Sequence, residues 1–138
     1  MRQPASGNAA GQRVSQKSPG RTRYYRDLQV WQKAMVLARA VYGHTSTFPK
    51  TEAFGLTAQM RRAAVSVPSN IAEGHGRLTD GNMRQFLAQA RGSLYELETQ
   101  IELACGLEYL EPQSEKELLE SCREVGRMLN GLMGVLES

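Results

Sequence analysis

Between residues 83 and 104 the apolar side chains Met83, Leu87, Ala90, Leu94, Leu97, Ile101 and Ala104 alternate steps of four and three without a break. That rhythm puts all seven on one stripe of a helix about six turns long, and no strand can present such a pattern on one face. An amphipathic helix of this length must lay its stripe on other helices. Thr79 or Asp80 supplies an oxygen-bearing N-cap just before the pattern starts.

The rest of the chain offers partners with the same period. Leu28, Trp31, Met35, Ala38 and Tyr42 predict a first helix of roughly 22 residues, ended by Gly43, the Thr45-Ser46-Thr47 run and Pro49. Leu56, Met60, Ala63, Val67 and Ile71 predict a second, which Pro68 should kink or restart and Gly74 and Gly76 should end. Gly106 and Pro112 mark the last turn, after which Ser114-Glu115-Lys116-Glu117 reads as a capping box. Leu118, Cys122, Val125, Leu129, Leu132 and Leu136 then carry the period to the end of the chain. Four amphipathic helices with short connections specify an all-α, antiparallel up-and-down four-helix bundle over residues 23–138. Residues 1–22 hold one large aliphatic side chain after Met1, namely Val14, and are expected to be a disordered basic tail.

Composition excludes several classes of function. No apolar run approaches the roughly 18 residues that span a membrane, and the N-terminus has no apolar core of a secretory signal, so a cytoplasmic protein is expected. Cys105 and Cys122 make no CxxC pair, and neither His44 nor His75 has a second ligand at metal spacing. No metal and no cofactor are expected. The Gly-rich pieces lack the Lys-Ser/Thr that follows a phosphate loop. The net charge of +3 hides a polarity. Residues 1–23 carry five basic and no acidic side chains, residues 24–93 nine against four, and residues 94–138 three against ten. The first two-thirds can attract phosphate, and the last third repels it.

Two rows of side chains are unlike ordinary solvated faces. In helix two, Gln59, Arg62, Ser66, Asn70 and Glu73 lie about 100° around the helix from the apolar stripe. In helix three, Gln89, Ser93, Glu96 and Gln100 repeat the arrangement, and Gly92 beside Ser93 permits another backbone to come close. Their Ser, Asn and Gln content suits a hydrogen-bonded network that sets helix register and subunit packing, with Arg62 neutralising Glu73 or Glu96. The competing reading is a hydrolase with Ser66 or Ser93 as nucleophile and Glu73 or Glu96 as base. No histidine stands at a supporting spacing, so no catalytic residue is assigned. Arg61, Arg77, Arg84 and Arg91 are candidate contacts to a nucleic-acid backbone, the last three as a stripe.

Several linked motifs carry a family resemblance. Asp27-Leu-Gln-Val-Trp-Gln-Lys-Ala34, Phe48-Pro49 with Glu52 and Gly55-Leu56, Gln59-Met-Arg-Arg-Ala-Ala-Val-Ser66, Asn70-Ile-Ala-Glu-Gly74 and Ala90-Arg-Gly-Ser-Leu-Tyr-Glu96 occur in this order. Over about residues 26–136 the chain resembles the four-helix bundle proteins encoded by intervening sequences of bacterial 23S rRNA genes. The resemblance implies a homo-oligomer, assembled as a ring of five. It also implies similarity to accessory proteins of diversity-generating retroelements, which partner a reverse transcriptase and nucleic acid, so RNA, DNA or a nucleic-acid enzyme is an expected partner. Gln59, Arg62, Ser66, Asn70, Glu73, Gly92, Ser93 and Glu96 occupy the family's motif positions. The resemblance carries no catalytic role onto them, and a non-enzymatic binding or scaffold module is expected.

Overall fold

A computed structural model describes residues 24–136; the expected basic tail lies outside the described residues. Four helices follow one another: α1 (Gln29–Thr45), α2 (Leu56–His75), α3 (Asp80–Gly106) and α4 (Pro112–Gly134). Short 3-10 turns at Tyr25–Asp27 and Lys50–Glu52 precede α1 and α2. Each helix packs on its sequence neighbours, and α1 closes the ring onto α4, whereas the diagonal pairs stay apart. Among the described residues there is no strand, and the architecture is the expected four-helix bundle.

The stripe of α3 is the axis of the core. Met83, Leu87, Ala90, Leu94, Leu97, Ile101 and Ala104 are all completely buried, and Leu56, Met60, Ala63, Val67 and Ile71 of α2 meet them as expected. The helix starts where its cap requires, because the Thr79 hydroxyl accepts from the Asn82 backbone N–H at 3.1 Å. Gly74 does not end α2 as anticipated. It is buried inside the last turn because a Cβ there would stand 2.9 Å from Phe86 Cβ and 3.2 Å from the Met83 carbonyl oxygen. Only glycine lets α2 and α3 come this close.

Four local expectations need correction. The core face of α1 is Val30, Ala34, Leu37, Ala38 and Val41; Trp31 and Met35 sit at its margin, and Tyr42 is exposed. Apolar residues cover two overlapping stripes of this helix, so spacing alone left its rotation undetermined, and close packing selected the stripe with smaller side chains. Trp31 instead meets Tyr25 edge-on, 5.2 Å between centroids, in the turn that shortens the helix to 17 residues. Secondly, α2 does not restart at Pro68 but runs unbroken from Leu56 to His75, its buried ring and the apolar contacts on either side outweighing one lost backbone bond. Thirdly, α4 begins at Pro112 rather than at Ser114, and Glu111 at its N-cap makes no side-chain bond. Proline's fixed φ favours the first helical position, which places the proposed capping box inside the helix. Near the end of α4, Met133 rather than Leu132 is fully inside.

Candidate functional site

The polar rows of α2 and α3 meet along one seam. Ser66 Oγ and Ser93 Oγ are 2.8 Å apart, and Asn70 Nδ2 donates both to Ser66 Oγ at 3.0 Å and to the Ser66 carbonyl at 2.9 Å. All three residues are half-buried. Seven residues beyond Ser93 and on the same flank of α3, Gln100 is only 7% exposed, and its Oε1 is buried without a hydrogen-bond partner among the described residues. A buried acceptor left unpaired costs about 1–3 kcal/mol.

Other members of the two rows are not drawn in. Gln59, Arg62, Glu73, Gly92 and Glu96 are exposed. Arg62 does not neutralise Glu73 or Glu96 among the described residues: Glu73 takes its partner from just past the C-cap Gly76, accepting from Arg77 Nη2 at 3.0 Å. A partner four residues on, in the turn that ends α2, needs no reach across the seam. Among the described residues no side chain and no other element lies within 4 Å of where a Gly92 Cβ would stand. From Gly92 the exposed residues Tyr95, Thr99 and Leu103 continue along the outward face of α3 at helical steps.

The four arginines do not share a face, because three different helix contacts claim them. Arg61 turns toward α1, donating from Nε to Thr45 Oγ1 at 2.8 Å and from Nη2 to the Tyr42 carbonyl at 3.4 Å, with its guanidinium 4.5 Å from the Tyr42 ring centroid. It thereby serves the last carbonyls of α1. Arg77 lies over the Phe86 ring at 4.3 Å on the α2 side of α3. Arg84 and Arg91 reach to α4 instead: Arg84 Nε donates to the Met133 carbonyl at 3.1 Å, and Arg91 Nη1 to Asn130 Oδ1 at 2.8 Å. The expected single stripe of Arg77, Arg84 and Arg91 is therefore split across the two flanks of α3.

Sequence reasoning passed over a clasp at the far end of the bundle. Glu52 Oε1 accepts from the Leu56 N–H at 3.0 Å, and its Oε2 from Tyr109 OH at 2.9 Å, while Phe48 and Tyr109 pack ring to ring at 5.3 Å. The Leu56 N–H, then the Tyr109 hydroxyl, hold the Glu52 carboxyl below its usual pKa; the bond to Glu52 raises that of Tyr109. A carboxylate three residues before the N-cap Gly55 was the available signal. Burial pushes the Cys122 thiol up to about 12, and Cys105 is shifted upward too, by desolvation and then by Glu115. Among the described residues no three His, Cys, Asp or Glu side chains are grouped to hold a metal ion.

The order of motifs along four packed helices coincides with a family model, that of the 23S rRNA-intervening sequence protein, which matches residues 26–131. The chain belongs to this family. A crystal structure of a protein of unknown function from the S23 ribosomal protein family of Bacteroides thetaiotaomicron VPI-5482 is similar in fold, with a TM-score of 0.69 and 20% sequence identity over 75% of this chain and 97% of that one. No curated protein matches the chain. Both rows of the Ser66–Ser93 seam fall inside the family match. No helix among the described residues is long and apolar enough to cross a membrane.

Proposed function

We propose that this family member is a non-enzymatic, homo-oligomeric helical scaffold of the cytoplasm, whose copies meet across the outward face of α2 and α3. The number of copies that the resemblance implies is five. The observation that carries the reading is Gly92. Glycine in the middle of a helix costs about 1 kcal/mol relative to alanine, yet among the described residues no side chain and no other element lies within 4 Å of where its Cβ would stand. A backbone from another copy uses that space. Against the hydrolase alternative, Ser66 and Ser93 hydrogen-bond to each other and Ser66 also accepts from Asn70, with no base among the described residues bonded to either hydroxyl.

In such an assembly the basic surface of each copy is repeated, which multiplies weak contacts to RNA, DNA or a nucleic-acid enzyme. Light scattering at micromolar concentration is expected to give a mass several times the 15.3 kDa of one chain. Gly92→Arg should return it to monomer with its helical circular dichroism intact. A monomeric parent, or a Gly92→Arg variant that still assembles, refutes the proposal.

A further inference from the structure

On the flank of α3 away from Ser93, an open groove of about 470 Å³ runs between the start of α3 and the end of α4. Arg84, Gln85, Arg91 and Asn130 supply its polar atoms, Ala88 and Gly134 leave room between them, and no acidic side chain lines it. Arg84 and Arg91 are two turns apart, about 10 Å along the helix. Each is held by one bond to α4, from Nε in Arg84 and from Nη1 in Arg91. The two bonds fix the guanidinium planes without using them up. Both Nη groups of Arg84 and the Nε and Nη2 of Arg91 have no other partner among the described residues.

The surroundings reinforce the charge. Arg127, three residues before Asn130 on α4, and Arg123 one turn further are exposed, and Glu124 between them is drawn off by Lys33 at 3.5 Å. Two forks anchored at opposite ends of a groove suit an anion with several oxygens directed both ways, better than a planar carboxylate that one fork would satisfy. We propose that this groove is a binding site for a phosphoryl group, gripped between the Arg84 and Arg91 guanidinium groups. That chemistry belongs both to free phosphorylated small molecules and to the phosphodiester backbone of a nucleic acid. All of the site lies within one chain. Gln85 and Ala88 lie within about 40° of Gly92 around α3, so a copy seated on Gly92 borders the groove, and light scattering beside the titration separates loss of the site from loss of the assembly.

The test is calorimetric titration of the full chain with sodium pyrophosphate and, in a second arm, with a 12-nucleotide single-stranded RNA, both in about 50 mM salt, where phosphate contacts are strong. The double variant Arg84→Gln with Arg91→Gln should weaken binding at least tenfold, while Arg39→Gln, an exposed arginine on α1, should leave it within twofold. Ala88→Glu, which puts a carboxylate in the groove and spares both arginine bonds, should have the same effect as the double variant; it keeps the test valid should that variant melt early. Binding of pyrophosphate assigns a free phosphorylated ligand, and binding of RNA alone assigns a phosphodiester. Binding of neither overturns the proposal, as does a loss in Ala88→Glu no larger than in Arg39→Gln.

Discussion

The two flanks of α3 are built from opposite materials. Toward α2 the side chains are short: Ser93 bonds Ser66 directly, and Gly74 lets the helices approach until Phe86 Cβ is 2.9 Å from where a Cβ would stand. Toward α4 they are long, and Arg84 and Arg91 bridge a separation wide enough to leave a groove. Side-chain length thus sets how close two helices come. A seam that closes on neutral hydrogen bonds serves register, and one that remains open on cations serves a ligand.

The comparison is most sharply broken by a pair of glycine substitutions. Gly74→Leu, on the closed seam, drives a side chain into Phe86 and the Met83 backbone and should destabilise the bundle by about 3 kcal/mol. Gly126→Ala, on the open one, brings a Cβ 3.4 Å from the flexible end of Leu94, and the gain in helix propensity should make it neutral or stabilising by less than about 1 kcal/mol. Urea denaturation of both variants checks the contrast, and equal losses would mean that the seams are packed alike.

A smaller effect tests whether the closed seam is held by its hydrogen bonds. Ser66→Ala and Ser93→Ala should each cost about 1 kcal/mol, and the double variant little more than either, because the second change removes a group that already lacked its partner. Strict additivity in the double-mutant cycle would show that the serines act independently.

The smallest effect lies at the end of the bundle, where Glu52 ties the turn before α2 to Tyr109 in the connection between α3 and α4. The folded state lowers the pKa of Glu52, so its contribution is present above the carboxyl's unfolded pKa and fades as pH falls through the folded one. Melting temperature should therefore drop in acid more for the parent than for Glu52→Gln, and the two should converge at the lowest pH. The Ser66–Ser93 seam, with no ionisable group in its hydrogen bonds, should give a Ser66→Ala difference that does not change across the same range. Parallel curves for the parent and Glu52→Gln would remove the carboxylate from the clasp.

Periodicity is a local property, and it was enough for the existence, order and approximate ends of the four helices. It also supplied the apolar core stripe of α3 and most of that of α2, without Ala64, Pro68 and Gly74, and Thr79 as one of two candidate caps. In α1, apolar residues on two faces left the rotation open until neighbouring helices pressed on it. The row of Ser66, Asn70 and Ser93 could be read in advance because each helix carries it at a constant offset from its own core. Where a long side chain ends is a different matter. Arg61, Arg77, Arg84 and Arg91 look alike in the sequence, yet one serves α1, one lies on Phe86 and two cross to α4. A flexible arginine reaches any acceptor within several ångströms of its Cα, and which acceptor stands there is decided only when helices distant in sequence are brought together.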